Sequence, residues 1–137
     1  MIPDREAIFT ALFSRLSGAT FSRAVNGATT FRTKSRRIKL WPDVSKDQRP
    51  AMFMVERHEV AAYSTELEPA KETLHVDVFV YTSADGVAAP ASDLNVIMDA
   101  LDRAIAPAVT QRAQTLGGLV SHCRQEGQKL KDPGDLD

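Results

Sequence analysis

The chain holds one cysteine, one tryptophan and three histidines in 137 residues, and each scarcity removes a class of reading. A lone Cys123 closes no disulfide within the chain, and its place in an apparent strand makes it a small packed residue more than a reactive thiol. An excess of one charge is also missing. The 17 basic residues stand against 18 acidic ones, a net charge of −1, so nothing draws the chain generally toward nucleic acid or an anionic membrane, and any nucleic-acid contact must be local. No window approaches membrane-spanning length. Met1-Ile-Pro-Asp-Arg-Glu6 lacks a basic region followed by a long apolar run, which predicts a protein made and used in the cytoplasm. There is no internal repeat and no low-complexity segment.

What remains is an ordinary globular composition, 43% hydrophobic, at a length that suits one core without a separate lid or cofactor domain. Asp4 is placed to cap a helix running to Leu16, in which Ile8, Leu12 and Leu16 share a face with Phe9 and Phe13, and Gly18 supplies a stop. Residues 19–30 read as a connection with a turn at Asn26-Gly27. Pro42 to Pro50 is rich in breakers and reads as an exposed loop. Ala51 to His58 is the first clear strand, with Thr73 to Thr82 its antiparallel partner across the long connection Glu59 to Glu72, a candidate projection toward a neighbour. Ser92 is read as the cap of a second helix carrying Leu94, Ile97, Met98, Leu101 and Ile105 and ended by Pro107. Leu116 to Arg124, entered through Gly117-Gly118, reads as a further strand. The expected fold is α/β of the α+β type: a small, mostly antiparallel sheet with two main helices packed on it, in one domain over residues 1–127. Residues 128–137 read as a turn, Asp132-Pro-Gly-Asp135, and a C-terminal tail, in which an incomplete closing hairpin or an arm for another subunit is favoured over a plain tail.

The stretch Thr73-Leu-His-Val-Asp-Val-Phe-Val-Tyr81 is the most informative in the chain. Alternation puts Leu74, Val76, Val78 and Val80 on one face and His75, Asp77, Phe79 and Tyr81 on the other. Two aromatics beside a charge and an imidazole suit contact with another subunit, or packing beneath an element of the same chain.

Catalytic and metal signatures are thin. His122 and Cys123 are neighbours, which a strand would aim to opposite faces, and His58 with His75 offers two ligands where structural zinc takes four. Cys123 lacks the strand-to-helix elbow that exposes a nucleophile, and Gly117-Gly118 lacks the spacing and following lysine of a phosphate loop. Glu59, Glu66, Glu68 and Glu72 sit in a polar stretch where solvation is the default. His75 and Asp77 would share a strand face as an acid-base pair, with no evident nucleophile or pocket. The basic tract carries more signal. Arg32, Lys34, Arg36, Arg37 and Lys39 follow one another with no acid between them, flanked by Phe31 and Trp41. Such a tract grips phosphates and stacks bases, or pairs with an acidic protein rim through bidentate guanidinium contacts.

Arg5 to Leu16, then Ser35-Arg-Arg37 with Trp41, Gln48 to Phe53, Thr73 to Tyr81 and Thr115 to Cys123 together resemble the tail terminator (tail-completion) proteins of long-tailed double-stranded DNA bacteriophages. The resemblance rests on loose patterns and covers most of the chain. It implies an α/β subunit that forms a homo-hexameric ring on the last ring of the tail tube protein, halts tube growth and presents a surface to the head-tail connector protein. DNA would pass through the ring, and the protein would reside in the virion at the neck end of the tail after assembly in the host cytoplasm. It implies no enzyme activity, cofactor, metal or membrane. On this reading the interface candidates are Arg36, Arg37, Trp41, His75, Asp77, Phe79 and Tyr81, with Arg36 and Arg37 facing either the lumen or the tube. The family's closing strand after the turn is not found before Asp137. The competing readings are another head-tail neck protein and a small nucleic-acid-binding module using residues 32–39.

Overall fold

Asp4 opens the first helix, α1 (Arg5–Ser17), by accepting the Ala7 N–H on its carboxylate at 3.0 Å, and Gly18 closes it by donating to the Ser14 carbonyl. The computed structural model describes residues 4–25, 27–57, 63–64, 71–83, 92–107, 111–120 and 123–125. After α1 the chain makes a tight reversal in which Val25 and Ala28 exchange backbone hydrogen bonds, with Gly27 at φ 78°. Three short strands and two six-residue strands follow: β1 (Thr33–Ser35), β2 (Ala51–Glu56), the pair β3 (Tyr63–Ser64) and β4 (Lys71–Glu72), and β5 (Val76–Tyr81). The helix α2 (Ser92–Ile105) comes after β5.

β2 is the centre of a three-stranded sheet ordered β1-β2-β5. It pairs parallel with β1, Thr33 opposite Ala51, and antiparallel with β5, from Ala51 opposite Tyr81 to Glu56 opposite Val76. The fold is thus α+β with a small, mostly antiparallel sheet and two helices. Register assigns the faces, because residues opposite one another point the same way. Met52 and Met54 share a face with Val76, Val78 and Val80; Ala51, Phe53 and Val55 share the other with Asp77, Phe79 and Tyr81.

The first face carries the main core. Met52 and Met54, fully buried, join Ile8, Phe9, Leu12 and Leu16 of α1 and Ile97 and Ala100 of α2, with Phe21, Val25 and Phe31 closing the side. Each buried side chain of this size contributes about 1.5–3 kcal/mol relative to exposure. Arg15 ties the helices together by donating to the Ala104 carbonyl at 3.1 Å, and Arg23 reaches Asp93 at the start of α2 at 3.4 Å. The second face has no helix on it among the described residues. It buries Phe53 and Ala51 beneath Val44 and the half-buried Tyr81.

Three local expectations are corrected. Leu116 to Arg124 forms no strand among its described residues: Leu116, Gly117 and Gly118 all have positive φ, 52°, 74° and 93°, which coils the chain into a turn where Val120 N–H returns to the Thr115 carbonyl. The glycine pair reads as the entry to a strand, but it admits the left-handed region, and burial of the Leu116 side chain offsets the roughly 1–2 kcal/mol that region costs a non-glycine residue. All that remains of the expected strand is one bridge between Gln114 and Cys123. Residues 42–50 are not simply an exposed loop; they contain two short 3-10 turns (Trp41–Asp43 and Lys46–Gln48), and Val44, Arg49 and Pro50 are buried. Ser92 lies inside α2 rather than before it. The parallel strand β1 had no signal, since three residues show no period. His58, Glu59, Glu66, Glu68, Ser121, His122 and the Asp132-Pro-Gly-Asp135 turn lie outside the described residues.

Candidate assembly surface

The connection from β1 to β2 carries the basic tract across the sheet's second face and divides it by chemistry. Arg32 is exposed but tied to the chain before β2: its backbone N–H donates to the Pro50 carbonyl and its guanidinium to the Arg49 carbonyl at 3.3 Å. Arg36 is taken up within the chain. It forms two hydrogen bonds to the Glu6 carboxylate of α1, at 2.6 and 3.0 Å, and also pairs with Glu56 at the end of β2. One guanidinium therefore joins the helix to the sheet, and its charge is spent on two acids. Lys34, Arg37 and Lys39 remain exposed, with no ion pair among the described residues.

The Arg36 bridge sets a pH dependence. Its hydrogen bond, followed by one from Thr10, holds the Glu6 carboxyl below its ordinary value of 4.5. A carboxyl depressed on folding adds stability that is fully present above its unfolded value and lost as pH falls through the folded one. Glu6 is open to solvent, so screening keeps the effect small. The Arg36→Ala variant is expected to flatten the decline in stability below about pH 4.5, as read from urea midpoints collected across the acid range; an unchanged acid limb would show that the bridge does not couple to folding.

Beyond Arg36 the chain runs Arg37-Ile-Lys-Leu-Trp41 over the sheet's edge and is fixed there from beneath. The Tyr81 hydroxyl donates to the Lys39 carbonyl at 2.7 Å. Tyr81 meets Trp41 edge to face at 5.6 Å between ring centroids and rests on Phe53 at 5.4 Å. The Arg49 guanidinium lies 3.5 Å from the centre of the Trp41 ring, and its two terminal nitrogens donate to the Ser83 hydroxyl at 2.9 Å and the Val44 carbonyl at 2.8 Å. This held segment is a ledge. Above the anchor, Leu40 is 68% exposed, Trp41 46% and Ile38 40%, and a shallow groove runs between Ser35, Arg37, Ile38, Lys39, Leu40 and Asp43. Apolar side chains standing in water on an anchored backbone form a surface suited to a partner.

The seven interface candidates separate on this geometry. Arg37 and Trp41 are on the ledge. Tyr81 packs within the chain, and its role at the surface is to hold the ledge. Phe79, two residues before it on the same face, is 39% exposed. Arg36 is committed to Glu6 and Glu56. Asp77 is engaged by Arg57, whose Nη2 lies 2.9 Å from Oδ1, so its carboxylate is directed to a guanidinium rather than to His75. His75 is half-buried, and its carbonyl accepts the Arg57 N–H at 3.1 Å. Burial pushes the Cys123 thiol above its ordinary value. No group of three or more histidine, cysteine or acidic side chains converges among the described residues, and none of their helices is long and apolar enough to cross a membrane.

The residue missed in the sequence is Arg49. Set between Gln48 and Pro50 in a breaker-rich stretch, it reads as solvated, and its partners Trp41 and Ser83 are too far along the chain for any local pattern to join them. Searches against protein-family models, curated proteins and solved structures return no match to this chain.

Proposed function

We propose that the protein is a tail terminator of a long-tailed bacteriophage, a structural subunit that closes as a hexameric ring on the end of the tail tube, stops tube polymerisation and presents the docking surface for the head connector. Two lines support this. One is the resemblance carried by Arg5 to Leu16, Ser35-Arg-Arg37 with Trp41, Gln48 to Phe53, Thr73 to Tyr81 and Thr115 to Cys123. The other, which carries the reading, is the ledge: exposed Ile38, Leu40 and Trp41 among exposed Arg37 and Lys39, held from below by Tyr81 and Arg49. Such a surface works by contact alone, through an apolar centre that drives association and a charged border that orients it. The reading assigns no catalytic step.

A nucleic-acid module built on residues 32–39 is the second reading, favoured by the exposed cations Lys34, Arg37 and Lys39. It is weakened by the diversion of Arg36 into the fold and by the aliphatic Ile38 and Leu40, which offer nothing to phosphate.

The test is electron microscopy of the purified protein mixed with isolated tail tubes. The terminator reading expects a single ring at one end of each tube and arrested growth, with capping lost in Arg37→Glu plus Lys39→Glu while the unfolding midpoint stays within the small range usual for surface changes, about 0.5 kcal/mol. Bare tubes, with salt-sensitive DNA binding by the same protein, would replace it with the nucleic-acid reading.

A further inference from the structure

The two outer strands of the sheet end it in different ways. β1 has three residues and carries the exposed Lys34, a short charged edge that discourages further pairing. β5 has six residues, Val76-Asp-Val-Phe-Val-Tyr81, with no proline or glycine, and β2 is its one neighbour among the described strands. The phase of the ladder fixes which of its backbone groups are used. The Arg57 N–H donates to the His75 carbonyl, and the pairing of Glu56 with Val76 sets those two residues opposite each other. In an antiparallel ladder every second opposed pair exchanges hydrogen bonds, so Asp77, Phe79 and Tyr81 turn their N–H and C=O groups to β2, and Val76, Val78 and Val80 turn theirs outward. Those outward groups have no partner among the described residues. The same edge is open on both faces, since Val78 is 37% exposed on the helix-bearing face and Phe79 39% on the other.

From this edge we infer that β5 pairs antiparallel with β5 of a second copy of the chain, about a two-fold axis at Val78. The strand fits itself there. Val78 opposes Val78 of the second copy and Val76 opposes its Val80, so each outward pair exchanges both backbone hydrogen bonds and the valines meet on one face. On the other face Phe79 opposes Asp77 of the second copy. Asp77 is the one acidic or basic side chain of the strand, so no charge stands opposite its like, and its ion pair with Arg57 brings a guanidinium toward a ring that water now reaches. Neighbouring registers fit less well. An axis at Asp77 would oppose two carboxylates, and one at Phe79 would set Val76 against Thr82, past the end of the strand. The contact uses the same surface from each copy and closes at two, whereas a ring repeats unlike surfaces, so the inference goes beyond the ring reading and does not rest on it.

The test is sedimentation equilibrium of the full-length protein, with two substitutions that meet each other only in this register. Val78 already reaches water, so a charged side chain there suits the separate subunit. Val78→Glu and Val78→Lys are each expected to weaken the pair about tenfold or more, because like charges then face each other across the axis. An equimolar mixture of the two should recover the two-copy mass. Hydrogen exchange of the wild type gives a second readout: the Val76, Val78 and Val80 amides should slow as protein concentration rises, while those of Asp77, Phe79 and Tyr81 stay protected throughout. A single-copy mass at the highest soluble concentration would overturn the inference. So would a mass that climbs past two copies, a pair indifferent to both substitutions, or a mixture that stays apart. Protection of the three valine amides that is independent of concentration would overturn it as well, by assigning the edge to the same chain. If either variant unfolds at a lower urea midpoint in dilute solution, the wild-type mass and exchange pattern decide alone.

Discussion

Phe53→Ala is expected to lower stability by about 3–5 kcal/mol, a large share of the roughly 5–15 kcal/mol that holds a domain of this size together. Phe53 is wholly inaccessible at the middle of the central strand, under Val44 and Tyr81, on the sheet face that carries no helix among the described residues. Truncation to a methyl group removes the ring's transfer free energy and leaves a cavity. Its neighbours are poorly placed to fill it: Ala51 has nothing to extend, and Tyr81 is tied by its hydroxyl to Lys39. The measurement is the denaturant midpoint, followed by far-ultraviolet circular dichroism so that no aromatic signal enters. Phe53→Leu, which restores most of the volume, should recover more than half of the loss. A loss under about 1 kcal/mol for the alanine variant would mean that the second face is not a working part of the core.

The second large effect is expected at Arg49. Arg49→Ala removes the guanidinium that lies against Trp41 and leaves the Val44 carbonyl and the buried Ser83 hydroxyl without the donors they have now. Leaving a buried polar group unsatisfied costs about 1–3 kcal/mol, and the loss of the cation from the indole face adds about 0.5–2 kcal/mol. A total near 2–4 kcal/mol follows if water enters to satisfy part of the gap. Arg49→Lys keeps the charge but not the fork, and one ammonium cannot reproduce the reach of two terminal nitrogens to Ser83 and Val44, so it should fall between the wild type and the alanine variant. Trp41 emission distinguishes this from a simple core defect. In Arg49→Ala it should move to the red before unfolding begins, because Trp41 loses one of its two ring contacts while Tyr81 remains. A variant that unfolds at the wild-type midpoint with unshifted emission would show that Arg49 does not hold the ledge.

The parts of the fold that sequence declares are those whose causes are local. Asp4 and Gly18 bracket α1 because a cap requires only a side chain and a turn within a few residues. The alternation of Val76 to Tyr81 fixed both the strand and its two faces, since the pleat has a period of two. The limits appear where the cause is distant. Arg36 belongs by composition to a run of cations, and only the fold brings Glu6 and Glu56 to it, thirty residues upstream and twenty downstream. Tyr81 appeared equally suited to a subunit interface or to packing inside, and the deciding partners, Phe53 and Lys39, come from different elements. The error over residues 116–124 has another cause: the glycine pair was read as the entry to a strand, whereas glycines able to occupy positive φ turn the chain there instead. Of the candidate site, the ledge's charge and aromatic content were legible at Arg37, Lys39 and Trp41, whereas its anchorage by Arg49 and Tyr81 was not.

β2 is the strand flanked by neighbours on both edges of the three-stranded sheet, and Met52, Phe53 and Met54 within it are completely inaccessible. Their amides point within the plane of the sheet toward β1 or β5, and packing covers the strand on both faces, so solvent reaches them only when pairing and packing are lost together. In deuterated buffer these protons are therefore expected to be the last to exchange, at rates set by the free energy of global unfolding. Exchange of the Asp43 and Val44 amides, which donate to the Leu40 and Trp41 carbonyls, would proceed separately, through release of the ledge, so the two time courses recorded in one sample resolve the stability of the scaffold from that of the surface it carries.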